Sequence, residues 1–426
     1  NLSFLVGNEV LASKSDYTEI YGVGYPEGFT MDDAFGMINM TTPSLGQDYF
    51  KGEIGTPNHT LSWFGRANYS YKGKYLLTAT FRADGSSKFA PSHQWGYFPA
   101  AAAAWRISDE AFMENTRDWL DNLKLRVSYG TSGSDNIDAS LWRETWKTEQ
   151  ITVDGEKVTT YVPGDMKGNP DLKWETSKEF NIGLDWAVLD ERLSGSIDVY
   201  QKKTSDMLYD FTVPTPPNLY NKTLANAGKM RNQGIEIAVN AIPVRTKDFE
   251  WKTTVTASHN ANKLLSLSND LYETSNQIDH AYLGEPINLS TQRMEVGRSM
   301  GQFYGMKSVG VSENGLWLIE NAKTGEIEEF TDNMLSNDDY RQYLGNALPK
   351  LYLGWNNSFR YKNFDLSFQM TGQFGFKILN EPRAYYENNS IAYNRLKSVQ
   401  KGSLWWTIYL INSPKTDFCK LLFGGW

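Results

Sequence analysis

Residues 350–371 read KLYLGWNNSFRYKNFDLSFQMT. Phe364, Leu366, Phe368 and Met370 alternate with Asp365, Ser367, Gln369 and Thr371. Before them, Leu351, Leu353, Trp355, Phe359 and Tyr361 share one parity, broken only by Asn357. Lys350, Gly354, Asn356, Ser358 and Arg360 hold the other, with Tyr352 as the exception. Successive strand residues point to opposite faces, so a period of two means one apolar and one polar face. Only Lys362 and Asn363 join the two runs, which is the length of a β-hairpin connection.

The same unit recurs outward from this hairpin. Trp63, Ala67, Tyr69 and Tyr71 alternate with Arg66, Asn68 and Ser70. After Lys72-Gly73-Lys74, Tyr75, Leu77, Ala79 and Phe81 oppose Thr78, Thr80 and Arg82. Further alternating runs start at Leu123, Phe180, Leu193, Ile235 and Phe249. The nearest approach to a helical period is 108–121, where Ser108 is placed to N-cap a short helix carrying Phe112, Met113 and Leu120.

Connections alternate in length. Short turns fall near 72–74, 188–191, 243–248 and 362–363. Long polar stretches fall near 83–94, 130–175, 203–232, 262–290 and 312–346, among them Val213-Pro214-Thr215-Pro216-Pro217-Asn218. Short turns at one end and long loops at the other are the layout of an outer-membrane barrel. Mean hydropathy is -0.51, and no apolar run is long enough for a transmembrane helix. A β-barrel hides behind such an average, because lipid-facing and lumen-facing residues cancel. Many strands begin or end in Trp or Tyr, as membrane interfaces favour, although aromatics favour strands in general. A soluble all-β protein with functional loops at one rim has the same alternation.

Composition narrows the function. A formal net charge of -8 argues against a nucleic-acid binder, and the single Cys excludes a disulfide scaffold or a cysteine metal cluster. No basic-plus-apolar leader opens the sequence. His59, His93, His259 and His280 are scattered without metal-ligand spacing. Gly130-Thr131-Ser132-Gly133-Ser134 misplaces the second glycine of a nucleophile elbow. Asp332, Asp338 and Asp339 lack the spacing of a calcium loop and read as a solvated stretch. No carboxylate pair stands out, so neither a catalytic residue, a metal site nor a cofactor is expected.

Several segments resemble the SusC/RagA group of TonB-dependent outer-membrane transporters. They are Phe64-Gly65-Arg66-Ala67-Asn68-Tyr69-Ser70-Tyr71, Arg82-Ala83-Asp84-Gly85-Ser86-Ser87-Lys88-Phe89, and Trp95-Gly96-Tyr97-Phe98-Pro99 followed by Trp105-Arg106-Ile107-Ser108-Asp109-Glu110. Next come Leu123 through Gly130, Asn169-Pro170-Asp171-Leu172-Lys173-Trp174-Glu175, and Asn226 through Glu236. Val296-Gly297 through Phe303-Tyr304-Gly305 and Gly345-Asn346-Ala347-Leu348-Pro349-Lys350 complete the series in family order. Pro99 is expected where a ladder N–H can be spared, at a strand end or bulge.

The resemblance implies an all-β fold: an antiparallel transmembrane β-barrel, partial here, from a 22-stranded parent. It implies long extracellular loops, short periplasmic turns and residence in the bacterial outer membrane. The barrel segment is expected over 1–395 and an atypical or truncated end over 396–426, where Leu404-Trp405-Trp406 and the run to Trp426 depart from the pattern. The plug and TonB box that the family carries before its barrel are not in this sequence. The implied function is import of an oligomeric nutrient, glycan or peptide, without covalent catalysis. Implied partners are a SusD-like surface lipoprotein, TonB-ExbB-ExbD acting through the plug and TonB box, and outer-membrane lipid. Loop aromatics Trp142, Trp146, Tyr161, Tyr209 and Tyr220 are candidate ligand platforms, since a ring pairs an apolar face with polar tips. The alternatives are a soluble all-β carbohydrate-binding protein and a glycoside hydrolase.

Overall fold

In a computed structural model the chain is built from antiparallel strands. The structure describes residues 1–22, 24–37, 40, 49–153, 155–212, 219–269, 275–285, 287–386 and 396–397. The first strands are β1 (Leu2–Ser13), β2 (Asp16–Tyr21), β3 (Tyr49–Ile54), β4 (Asn58–Tyr71), β5 (Tyr75–Ser86), β6 (Trp95–Arg106) and β7 (Leu120–Ser134). Then come β8 (Trp146–Val153), β9 (Glu156–Pro163), β10 (Glu175–Val188), β11 (Leu193–Thr212), β12 (Lys222–Arg245) and β13 (Phe249–Ser266). The remainder are β14 (Gln277–Leu283), β15 (Leu289–Glu295), β16 (Gln302–Val311), β17 (Trp317–Glu320), β18 (Ile327–Glu329), β19 (Arg341–Asn346), β20 (Leu351–Tyr361) and β21 (Phe364–Phe374). A short helix, α1 (Met31–Gly36), opens with a capping box between Thr30 and Asp33, and α2 (Glu381–Tyr386) follows the last strand. The expected atypical end at 396–426 lies, apart from 396–397, outside the described residues, as does the 213–218 proline stretch.

One sheet dominates, with 11 strands in the order β1-β4-β5-β6-β7-β10-β11-β12-β13-β20-β21. Every strand pairs antiparallel with its neighbour in sequence once the loop strands are set aside. That is the meander of an up-and-down barrel wall. Register fixes two faces across the sheet. On one, Tyr69 sits opposite Leu77, Leu77 opposite Ala103, Ile182 opposite Val127 and Val199, and Val199 opposite Ile235. The large residues of this face are exposed, from Trp63 and Phe81 through Phe180, Ile182, Val199 and Val255 to Leu366 and Met370. Such a band has no hydrophobic partner among the described residues, and hydrocarbon is the medium that accepts it. We call it the outer face.

Asn357 breaks the sequence parity because it lies on this outer face yet is buried. Its Oδ1 accepts from Trp251 Nε1 at 3.1 Å, opposite Phe368 in the ladder. Trp251 stacks on Phe359 at 5.7 Å and Phe359 on Phe368 at 6.1 Å, so rings roof the amide.

The strand ends sort as the lengths predict. At one end lie the connections 72–74, 189–192, 246–248 and 362–363. The fifth at that end, 107–119, is longer and holds two short 3-10 helices, Ile107–Asp109 and Ala111–Thr116. Ser108 is buried inside the first of these and is not an N-cap. Glu110 ties this turn to the wall, accepting from Tyr75 Oη at 2.7 Å, Trp105 Nε1 at 3.0 Å and Lys74 Nζ at 3.1 Å. The Tyr75 hydroxyl, with the other two donors, holds its carboxyl down at about 2.

At the opposite end the long connections contain more strand than periodicity suggests. Most of 203–232 is ladder: Thr204 faces Met230 and Thr212 faces Lys222. Register shifts at Thr204/Met207 and Met207/Leu208, with Asp206 at φ 57°, scramble the alternation there. A bulge makes the two faces exchange residues, so a true strand loses its period. Pro99 lies within β6, opposite Phe81 and one residue outside the β6–β7 ladder that starts at Ala100. The expected strand end or bulge is thus replaced by a position inside β6, just beyond the last pair of the β6–β7 ladder.

Candidate functional site

The inner face is a polar wall, and a cluster of its charges is paired. Arg126 reaches both Asp185, at 2.8 Å, and Asp198, at 2.9 Å, while Lys124 holds Asp185 at 3.0 Å. Gly183, between them in the register, leaves the room: a Cβ there would lie 2.5 Å from Arg126 Nη2 and from Asp198 Oδ1. Asn260 Nδ2 donates to Tyr200 Oη at 2.7 Å, and Thr78 Oγ1 donates to Asn68 Oδ1 at 3.0 Å. Arg82 binds Asp84 at 2.6 Å and donates to Ser62 Oγ at 2.9 Å. Beside these groups the wall dips. Thr78, Thr80, Ala100, Ala102, Ser128 and Glu179 line a depression of about 290 Å³. Small side chains there let a body inside the wall approach the sheet closely.

The loop end has its own core. Phe89, Phe98, Leu172 and Trp174 are buried together, drawn from the connections after β5 and β7 and from β6. Trp174 packs on Phe89 and Phe98 at 5.6 Å each, and its Nε1 donates to the Gln94 carbonyl at 2.8 Å. Phe98 lies directly over Gly133, where a Cβ would come within 2.1 Å of the ring. Asn226 sits at the neighbouring junction. Its Oδ1 accepts from the Lys173 N–H at 3.0 Å, and its Nδ2 donates to the Lys173 and Asp206 carbonyls at 2.8 and 2.7 Å. Asn169 Nδ2 donates to the Leu224 carbonyl at 2.8 Å. Four of the quoted sequence segments thus meet here, and their shared work is to lock loops to the wall. The sequence shows each segment, but only pairing across 53 residues shows why Asn226 matters.

A second sheet stands in the connection between β13 and β20, in the order β14-β15-β16-β17-β18 with β19 also on β16. Its centre is Arg293, with 7% of its side chain exposed. Arg293 binds Asp279 at 2.6 and 3.0 Å and lies 3.7 Å from the Tyr304 ring centre. Arg341 and Asp338 close the network, so Asp338 of the expected solvated stretch is ion-paired. Hydrogen bonds from Arg293 hold the Asp279 carboxyl below the usual range, and burial pushes the Tyr304 hydroxyl up.

On the same strand, His280 is half-buried and its Nε2 has no partner among the described residues. Burial lowers its imidazole pKa, opposed by Asp279. A depressed folded pKa favours the neutral ring, so its stabilising share is full above the unfolded value near 6.5 and falls as pH drops. Amide exchange over 277–295 should therefore quicken from about pH 7.5 to about pH 5.5, after correction for intrinsic rates, and His280→Gln should abolish that step. A pH-independent protection pattern would refute this.

The five loop aromatics separate. Trp146 and Tyr161 lie on one face of the β8–β9 hairpin, since Trp146 faces Pro163 and Tyr161 faces Thr148. They are 59% and 74% exposed. Trp142 is half-buried with Arg143 5.7 Å from its ring centre. Tyr209 packs edge-on to Phe211 at 5.4 Å. Tyr220 is 4% exposed, so its ring offers no open face in this arrangement. Among the described residues no cluster of His, Cys, Asp or Glu could hold a metal ion.

A wall with an apolar outer face, a polar inner face and long structured loops at one end defines a transmembrane β-barrel of the outer-membrane type. Residues 3–304 match the family described as TonB dependent receptor-like, beta-barrel, and the chain belongs to that family. It is 35% identical over 373 residues to TonB-dependent receptor P26 of Formosa agariphila, covering 84% of this chain and 36% of that protein. It is 33% identical over 328 residues to TonB-dependent receptor SusC of Bacteroides thetaiotaomicron, covering 74% of this chain and 31% of SusC. The structure of the RagAB peptide transporter superposes with a TM-score of 0.75 at 20% identity, over 99% of this chain and 45% of that one. The chain thus spans about a third of the length of the curated relatives it matches. Its place is the bacterial outer membrane, and it is a receptor-type barrel, not an enzyme. That sets aside the soluble carbohydrate-binding and glycoside hydrolase readings.

Proposed function

We propose that the protein containing this wall imports an oligomeric nutrient across the outer membrane, with a SusD-like lipoprotein over its loops and TonB-ExbB-ExbD supplying the work from the periplasm. The observation that carries the reading is the match over 3–304 joined to a polar inner wall with a paired cluster of charges. Such a wall offers hydration, hydrogen bonds and fixed charges to a polar cargo or an internal plug. The depression over Ala100 and Ala102 is the surface on which a plug would seat. RagAB, which shares the fold, is described as a peptide transporter; the oligomeric cargo, peptide or glycan, follows from the resemblance to the SusC/RagA group. In this reading residues 1–395 belong to the receptor's barrel segment, loops included.

Deletion of the complete gene in its own bacterium should abolish uptake of one oligosaccharide or oligopeptide class, with growth on the corresponding monomers unaffected. Unchanged growth on every oligomer tested would overturn the proposal. Trp146 and Tyr161 form the platform of choice among the loop aromatics, being adjacent and open. Trp146→Ala with Tyr161→Ala should weaken cargo or lipoprotein binding several-fold while the barrel stays folded, as titrated on the purified receptor. Full binding by the double variant would remove these two residues from the site.

A further inference from the structure

Above the apolar band, four cations line up across four neighbouring strands. Lys178 of β10 faces Lys203 of β11, Lys203 faces Arg231 of β12, and Arg231 faces Lys263 of β13. All four share the parity of Phe180, Val199, Ile235 and Ala257, so they belong to the outer face. Strands lie about 4.8 Å apart, so the row spans roughly 15 Å. Directly opposed like charges destabilise a sheet, and each neighbour is well inside the ~8–10 Å screening length. Nothing in the described chain offsets this: none of the four makes an ion pair there. Lys178, Lys203 and Lys263 are exposed and Arg231 is half-buried.

The carboxylates of these strands between the row and the short turns, Glu179, Asp185, Asp198, Glu236 and Glu250, all take the opposite parity and line the inner face. The outer face there thus holds no carboxylate below the row and is mainly apolar, interrupted by Gln201, Gln233, His259 and Thr253. Its height is informative. From Lys178 down to Val188, beside the short turn, β10 covers the about 9–11 residues that a tilted strand uses to cross hydrocarbon. The row therefore stands where the loop-side, outer leaflet presents its headgroups.

We infer that this row binds the phosphates of an anionic lipid of the outer leaflet, seated with its acyl chains on Phe180, Ile182, Val199 and Ile235. Charge complementarity and continuity with the lipid-facing band select that occupant over a protein or a free anion. A phosphate accepts from Lys as a point charge and from Arg in bidentate fashion. The row rests on the facing of the sheet and is independent of which cargo the receptor carries.

The test uses the full-length receptor purified in non-ionic detergent, with diphosphorylated lipid A as the probe and native mass spectrometry as the readout. Retention of the probe is expected, with the dephosphorylated lipid retained on the order of tenfold less. The variant Lys178→Gln, Lys203→Gln, Arg231→Gln, Lys263→Gln should lose retention by a similar factor. The set Lys178→Arg, Lys203→Arg, Lys263→Arg should keep it, and Lys202→Gln, one residue away on the inner face, should leave it unchanged. If the fourfold variant fails to fold, Lys203→Gln alone at the centre of the row is expected to weaken retention several-fold. Equal retention of phosphorylated and dephosphorylated lipid, or full retention by the glutamine variants, would overturn the inference. Displacement of the lipid by equimolar inorganic phosphate would also overturn it, making the row a free-anion site.

Discussion

Phe368→Arg in the complete receptor should sharply lower the yield of folded, heat-modifiable barrel, while Gln369→Arg is tolerated. Phe368 lies near the middle of β21 on the outer face, packed edge-on to Trp355 at 5.9 Å and stacked on Phe359 at 6.1 Å. A guanidinium at a lipid-facing midplane position costs about 2–4 kcal/mol, and here the ring contacts are lost as well. It would also unroof Asn357, whose Nδ2 is already buried without a partner among the described residues. Gln369 faces Asn356 on the inner face, where a cation stays hydrated. Heat modifiability on gels and outer-membrane yield measure both variants. The opposite ranking would invert the assignment of faces.

Trp174→Ala should unfasten the loop end and spare the wall. The indole is 9% exposed, touches Phe89 and Phe98, and donates to Gln94. Removing a buried Trp costs about 3–5 kcal/mol through lost contacts and a cavity. Those contacts join the loops to one another and, through Phe98, to the loop-side end of β6, so the loss falls on the loops far more than on the ladder below. Limited proteolysis should open new sites within 87–94 and 135–173, with cargo or lipoprotein binding reduced and heat modifiability retained. Asn226→Ala should have the same signature at the neighbouring junction, because its amide satisfies three backbone groups at once. An unaltered cleavage pattern in both variants would show that these segments do not lock the loops.

These two experiments divide along the line between sequence and structure. The run 351–371 shows its strands and its faces unaided, because a period of two survives wherever a strand is half in lipid and half in water. The turn at 362–363 and its counterparts at 72–74 and 189–192 are legible for the same reason, being short polar breaks between periodic runs. The segments carrying the family resemblance are equally plain, and they place the chain among TonB-dependent barrels.

What the chain does above the membrane is not written in its periodicity. Bulges near Asp206 hide the upper reaches of β11 and β12, and strands wet on both faces, such as β8 and β9, have no reason to alternate. Lys178, Lys203, Arg231 and Lys263 are scattered along 86 residues of sequence and look like ordinary surface cations. Register alone brings them side by side. Burial and charge pairing depend on which strand lies next to which, a long-range choice made by the assembled sheet. Sequence therefore determined the wall and its two faces through local alternation. Only the tertiary structure decided the loop lock at Trp174 and Asn226, the Arg293 network and the cationic row, because each is made of partners that meet only across paired strands.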